Sequence, residues 1–464
     1  MLCLCSAVAN VDARDQPNII LILADDIGIE GLRCYGGLTY QTPHLDRMAA
    51  EGVRFTHAYS QPLCTPSRVE LMTGQYNHRN WRCFGILDPD AVTIGHRLRA
   101  SGYATAIFGK WQLQSYDPPD FPGGDARRGT GMHVGDAGFD QWAVFHGRHT
   151  EDKGSRYANP IMLEGSKSQP EQLRRYPGRY GEDIWVEKII DFLNKTRDQP
   201  SFVYYPMALP HNPFVPTPRS PEYDPTSNPT EDVRFAKDMI EYMDVVVGRL
   251  LSELQERQLA EDTIVVFTGD NGTNVNVTSK FTGNRTIIGG KASPLQTGIH
   301  VPLIVWNPAK IEPRVTNRLV DFTDILPTLL EWAGSDTTNE PQLEGVSFAG
   351  QCQPNQFDSR ERDAVFVWYD PRPGWDKQRF GRHVFALNHT HKCFRDGRLF
   401  RLTERPLEEV AIASLEMTSE DQENRIELMQ TIQDAMRPLP GQATAEPPLV
   451  DAFGTPITMQ SPRQ

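Results

Sequence analysis

Four places in the chain set chemistry-bearing side chains just after short apolar runs. The run Pro17 to Leu23 (PNIILIL) is followed by Ala24, Asp25 and Asp26. The run Thr263 to Thr268 leads into Gly269, Asp270, Asn271 and Gly272. A third run, Tyr103 to Phe108, is followed by Gly109 and Lys110, and a fourth, Phe202 to Ala208, ends near Pro210 and His211. Asp25, Asp26, Asp270 and Asn271 offer only oxygen ligands. Such a set suits a hard cation, calcium or magnesium, over zinc. Either pair alone also reads as ordinary turn chemistry, a helix N-cap or a tight Asp-Asn-Gly turn. Their recurrence at the ends of apolar runs argues for one shared site.

These residues meet only if the runs are strands of one sheet. Short apolar runs bounded by turn residues fit strands buried on both faces. Helical patterns lie between them: His44 to Glu51, Ser67 to Gly74 with Pro66 before it, Val92 to Ala100, Glu182 to Asn194, Thr230 to Gln258 and Phe322 to Ala333. Val53 to Ala58 and Val301 to Trp306 read as further strands. The alternation predicts an α/β fold, a large mostly parallel sheet flanked by helices on both faces. Ligands of such sheets bind beyond the carboxyl ends of the strands, where the polar residues fall. Residues 114–180 are rich in Gly, Pro, Arg and Tyr with little periodicity, which predicts a long loop region that shapes the site.

Cys64 lies in the string Pro62-Leu63-Cys64-Thr65-Pro66-Ser67-Arg68-Val69-Glu70-Leu71-Met72-Thr73-Gly74. Alone it could be an ordinary buried or disulfide cysteine. The string resembles the signature of the type I, formylglycine-dependent sulfatases, the arylsulfatase-like branch of the alkaline phosphatase superfamily. That signature reads C-x-P-S-R, then an apolar pair and T-G. The blocks PNIILILADDIG, GYATAIFGKW, PHNPF, TGDNG and GGKASPLQTGIHVPLIVWNP look like family blocks in the family's order.

The resemblance implies that Cys64 is oxidised to formylglycine by a maturation enzyme and that its hydrate is the nucleophile. It implies a calcium ion held by Asp25, Asp26, Asp270, Asn271 and an oxygen of modified Cys64, and a sulfate surrounded by Arg68, Lys110, His211 and Lys291. The residue types suit the chemistry. Charge develops on the sulfuryl group and the leaving oxygen, and fixed cations stabilise it. His211 or Lys291 would protonate the leaving oxygen. The second hydroxyl of the hydrate would then expel sulfate, a step a serine could not perform. Two departures stand out. Where the family has G-K-W-H, this chain reads Gly109-Lys110-Trp111-Gln112. Gln112 hydrogen-bonds but cannot take a proton. Where the family commonly reads E-G-G-I-R, this chain reads Gln296-Thr297-Gly298-Ile299-His300, so His300 is either a substitute base or a structural side chain.

Composition bounds the rest. The 464 residues carry 47 basic and 60 acidic side chains, a net charge of −13, which disfavours nucleic acid or an anionic membrane as partner. No apolar run approaches the ~18 residues of a spanning helix. The seven cysteines, Cys3, Cys5, Cys34, Cys64, Cys83, Cys352 and Cys393, form no CxxC pair. Ala7-Val8-Ala9 resembles the end of a secretory signal, which suggests a secreted or periplasmic enzyme. The expected organisation is a signal or disordered N-terminus (1–16), a catalytic domain (17–355), a small α+β domain (356–437) with strands at Ala364–Trp368, His383–Leu387 and Leu399–Leu402 and a helix near Thr418–Met436, and an extended tail (438–464). The loops at 114–180 and Tyr369 to Arg382 carry Arg, Tyr and Trp that suit a sulfated carbohydrate substrate. The alternatives are a phosphodiesterase or phosphonate monoester hydrolase of the same superfamily, and a catalytically weak binder of sulfated glycans.

Overall fold

The computed structural model describes residues 16–115, 117–118, 120–148, 154–226, 230–335, 342–353, 361–439 and 446–457. The N-terminal signal-like segment, with Cys3 and Cys5, lies outside the described residues. Among these residues the strands of the first half are β1 (Asn18–Ala24), β2 (Val53–Tyr59), β3 (Ala104–Lys110), β4 (Gln141–Phe145), β5 (Ile161–Ser166), β6 (Gln169–Arg175) and β7 (Ser201–Pro206). They are followed by β8 (Thr263–Gly269), β9 (Thr278–Phe281), β10 (Arg285–Ile288), β11 (His300–Trp306) and β12 (Arg314–Asp321).

Strand β1 shows why its sequence is apolar without alternation. Ile19, Leu21 and Leu23 join one buried cluster, and Ile20, Ile22 and Ala24 join another. Both faces are therefore covered by helices. Helices Cys64–Thr73, Ile94–Ala100 and Ile325–Trp332 pack on the first face. Helices Pro43–Glu51, Gly181–Lys195 and Ala236–Glu256 pack on the second.

The large sheet has ten strands in the order β12-β2-β11-β8-β1-β7-β3-β4-β5-β6. Its centre, β8-β1-β7-β3-β4, is parallel throughout, as the alternating sequence pattern predicts. The flanks make it mixed: β11 runs antiparallel to β8 and β2, and β5 pairs antiparallel with β4 and β6. Strands β4 to β6 correct the expectation of a long loop over 114–180. The edge strand β6 (QPEQLRR) is almost wholly exposed, so it carries no apolar alternation to read, and its charges suit an edge. Strand β12 was equally silent, since its first half is polar and part-exposed.

The helix after β2 begins at Cys64, three residues earlier than the sequence suggests. Pro66 stands inside its first turn, where a missing N–H costs nothing because it has no intrahelical partner. Gly74 closes the helix in the left-handed conformation, φ 68°, and its N–H donates to the Glu70 carbonyl at 2.7 Å.

A second, antiparallel sheet follows: β13 (Val365–Tyr369), β14 (His383–Leu387), β15 (His391–Phe394), β16 (Leu399–Leu402) and β17 (Glu409–Ile412). Leu428 and Ile432 of helix Ser419–Ala435 belong to the same buried cluster as its Phe366 and Trp368. Residues 446–457 lie against it. Glu446 accepts from Trp368 Nε1 at 2.7 Å and Arg382 Nη1 at 3.0 Å, and the Ala452 carbonyl accepts from Gly374 N–H at 2.9 Å.

Candidate active site

Sheet register brings the predicted residues together. Ala24 of β1 pairs with Gly269 of β8, so Asp25 and Asp270 leave adjacent parallel strands side by side. Lys110 is the last residue of β3, a correction of its expected place just past the strand. Gly109 before it has φ 136°, and a Cβ there would collide with the Pro206 carbonyl of β7. His211 follows β7 in a turn held by Glu182, whose buried carboxylate accepts from Ala208 N–H at 2.7 Å and Leu209 N–H at 3.0 Å. Cys64 and Arg68 are one helical turn apart and share a face.

At this point three carboxylates meet three cations. Lys110 Nζ donates to Asp25 Oδ2 at 2.7 Å, and Lys291 Nζ to Asp26 Oδ2 at 2.6 Å. Arg68 donates to Asp270 Oδ2 through Nε at 3.2 Å and Nη2 at 2.9 Å, and to the Lys110 carbonyl at 3.2 Å. Asp26 takes φ 72°, rare for a residue with a side chain, and its N–H donates to Asp270 Oδ1 at 3.0 Å. Asn271 Nδ2 donates to Asp26 Oδ1 at 2.9 Å. Ser67 Oγ donates to the Asp270 carbonyl at 2.5 Å, tying the Cys64 helix to the end of β8. His211 Nε2 stands 3.8 Å from Asp26 Oδ2, and Arg156 Nη2 lies 2.9 Å from its Nδ1. All nine predicted site residues thus converge.

Burial opposes the charge on Asp25, but the surrounding cations, Lys110 foremost, hold its carboxyl well below the usual range. Burial, then the nearby Asp25 charge, pushes Asp270 up. Burial and then Lys291 push the His211 imidazole well below its ordinary value. Crowded carboxylates of this kind suit a divalent cation. Asp25 and Asp270 each bring an oxygen within 4.8 Å of Cys64 Sγ and of one another. Asp25 Oδ1 and Asn271 Oδ1 are buried with no hydrogen-bond donor. Two orphaned oxygens among carboxylates fit an oxygen-liganded calcium ion. An oxygen in place of the Cys64 sulfur improves that fit.

A cavity of about 660 Å³ opens beside this cluster, and Lys110, Gln112, His146, Arg156, His211 and Trp375 are among its lining. Gln112 and His146 both have left-handed φ, 59° and 62°, and Gln112 N–H donates to the His146 carbonyl at 3.4 Å. Gln112 Oε1 is buried without a donor. His300 is elsewhere. Its Nε2 lies 2.8 Å from the Thr56 carbonyl and its ring packs on Tyr59, while burial pushes it down to about 3. That is the structural of its two readings. Sequence reasoning missed Glu182, His146, Arg156 and Asn212 as individuals. Arg156 and Trp375 had a collective signal, their place in loops rich in arginine and aromatic residues, and Asn212 lay within the block PHNPF.

The sequence profile of the sulfatase family matches residues 17–335. The chain is 33% identical to bovine (Bos taurus) arylsulfatase A over 359 residues, covering 74% of this chain and 68% of that protein. It is 29% identical to the N-acetylgalactosamine-6-sulfatase of the dog (Canis lupus familiaris) over 418 residues, covering 83% and 75%. A solved structure from work on glycosaminoglycan metabolism by Bacteroides thetaiotaomicron superposes with a TM-score of 0.66 at 23% identity, covering 90% of this chain and 99% of that one, which shows a shared fold.

Proposed function

The chain belongs to the sulfatase family, and from that premise we propose that it releases inorganic sulfate from a sulfated carbohydrate, with Cys64 matured to formylglycine and with a bound calcium ion. The observation that carries this reading is the convergence of Cys64, three carboxylates and three matched cations at the carboxyl ends of β1, β3 and β8. A sugar substrate is supported by the relative named for an N-acetylgalactosamine sulfate and by the mix of polar and aromatic side chains that line the cavity.

Asp25, Asp26, Asp270, Asn271 and the Cys64 position would hold the calcium, whose charge stabilises negative charge on the sulfate oxygens. Formylglycine at position 64 would supply a hydrated aldehyde, whose two hydroxyls would provide a nucleophile and a means of releasing sulfate. The remaining work falls to the chain's own side chains. Lys110 Nζ and Lys291 Nζ donate to sulfate oxygens, in place of the carboxylates they face in this structure. Arg68 keeps its bond to Asp270 and so holds the first helical turn, and with it Cys64, against β8. Lys291 Nζ, or His211 Nε2 where the charge of a bound sulfate favours its protonated form, gives a proton to the leaving oxygen. The signal-like N-terminus supports a secreted or periplasmic enzyme, matured by a formylglycine-generating partner. Among the described residues no helix is long and apolar enough to cross a membrane.

The test begins with the tryptic peptide Phe55 to Arg68 from chain made with a formylglycine-generating enzyme, where conversion removes about 18 Da. Matured enzyme is then assayed for free sulfate with calcium present. Release over many turnovers, lost in Cys64→Ala, supports the reading against the glycan binder that Gln112 suggests. A phosphate or phosphonate ester preferred roughly tenfold or more in kcat/KM would reject it in favour of the other hydrolases.

A further inference from the structure

We propose that Trp375 is the platform on which the sugar ring bearing the sulfate stacks, so that a loop of the small sheet reads the leaving group while the large sheet holds the sulfate; this rests on the sulfated-carbohydrate reading above. The cavity's walls differ in chemistry. Lys110 and Arg156 form its cationic side. Of its aromatic lining, Phe145 and Tyr157 each lie against the Arg156 guanidinium, 5.3 and 5.2 Å from the ring centroids. Tyr223 packs edge-on against Tyr180 at 6.0 Å. Trp375 keeps 41% of its surface exposed where it lines the cavity.

That indole sits on a pinned loop. The backbone N–H of Trp375 donates to Asp117 Oδ1 at 2.6 Å, and the buried Asp117 is itself held by Arg127 Nε at 2.6 Å. Next to it, Gly374 N–H donates to the Ala452 carbonyl at 2.9 Å, and Lys377 N–H to the Gly374 carbonyl at 3.1 Å. Segments far apart in sequence therefore fix the loop from two sides. A pre-placed aromatic face costs little ordering entropy on binding.

A pyranose has a face of C–H bonds that packs on an indole and a rim of hydroxyls that needs polar partners. Ser155, Asn159, Asn212 and Asp224 line the same cavity and supply that rim. The volume, about 660 Å³, lies within the ~300–1,000 Å³ of small-ligand sites, which suits a terminal sugar unit.

The test uses full-length Cys64→Ala protein with calcium present, unable to turn over, in titration calorimetry. The probes are galactose 6-sulfate, N-acetylglucosamine 6-sulfate, inorganic sulfate and 4-nitrophenyl sulfate. We expect a sugar sulfate to bind more tightly than inorganic sulfate. Adding Trp375→Ala should weaken the sugar sulfate about tenfold and inorganic sulfate by less than about twofold, while Trp375→Phe keeps most of the affinity. Sugar-sulfate affinity unchanged by Trp375→Ala overturns the platform and leaves the sulfatase reading standing. So does a loss shared equally by all probes in both Trp375 variants, or a parent that prefers 4-nitrophenyl sulfate to both sugars. A parent that binds neither inorganic sulfate nor any ester overturns the sulfatase reading itself, and the platform with it.

Discussion

Lys110 and Lys377 are both buried, yet the two sheets hold them differently. Lys110 ends a strand of the large sheet with its ammonium 2.7 Å from Asp25. Lys377 belongs to the loop after β13, its ammonium 4.0 Å over the Phe84 ring, and burial pushes it down to about 8. The first is one of three matched ion pairs at strand ends. The second is a buried ammonium seated on one aromatic face. The contrast suggests a division of labour, in which the strand ends fix an electrostatic centre and the loops shape what approaches it.

The largest effect that could break this contrast is at Cys64. Cys64→Ala should lower sulfate release by at least about 10⁴-fold, as removing a nucleophile does. Loop changes such as Trp375→Ala should act mainly on KM. Initial-rate measurements on both matured variants check this, and a kcat loss at Trp375 approaching that at Cys64 would erase the distinction.

Next in size are the lysines. Lys110→Met leaves the Asp25 carboxylate buried without its nearest cation, which should cost about 3–5 kcal/mol in urea denaturation without calcium. Lys377→Met should go the other way and stabilise by about 1 kcal/mol at pH 7, because burial penalises the ammonium that it removes. Equal signs would mean that Lys377 is held as firmly as Lys110.

The two regions should weaken alike in acid. Burial pushes His300 of the large sheet and His78, against Phe366 of the small one, each down to about 3. The unfolded chain takes up these protons near pH 6.5, so the folded state binds fewer protons below that value. Stability present at pH 7 is therefore lost as pH falls from about 6.5 toward 3, by about 1–2 kcal/mol for each histidine at pH 5. Urea midpoints at pH 7 and 5 measure it, and His300→Gln should flatten the slope.

Smallest is the calcium response. Adding calcium to unmatured chain should raise Tm by a few degrees, through binding to the folded state alone. Asp25→Asn should abolish that rise, whereas Trp375→Ala should leave it intact, and thermal scans with and without chelator separate them.

The same contrast explains what could be read from the chain. Strand ends were legible because a strand buried on both faces, such as β1, has after its first residue, Asn18, no polar residue until it leaves the sheet, so Asp25 and Asp26 mark its exit. Lys291 is different: it lies in a loop, and only the resemblance to sulfatases pointed to it. The cavity wall was illegible for a physical reason. His146, Arg156 and Trp375 come from connections whose positions depend on bonds to distant residues, such as Trp375 on Asp117. Strand β6 was hidden because an edge exposed on both faces has no pattern to keep.

The bond from Gly374 to Ala452, with Glu446 holding Trp368 and Arg382, joins the end of the chain to the loop that carries Trp375. Substrate choice can thus be retuned from outside the cavity. Removing residues 446–457 would unmoor the loop that carries Trp375, while the carboxylate cluster, built from the strand ends of the large sheet and the Cys64 helix, would keep its shape. A sulfatase could in this way widen its diet by changes at residues 446–452, without touching a single group that handles sulfate.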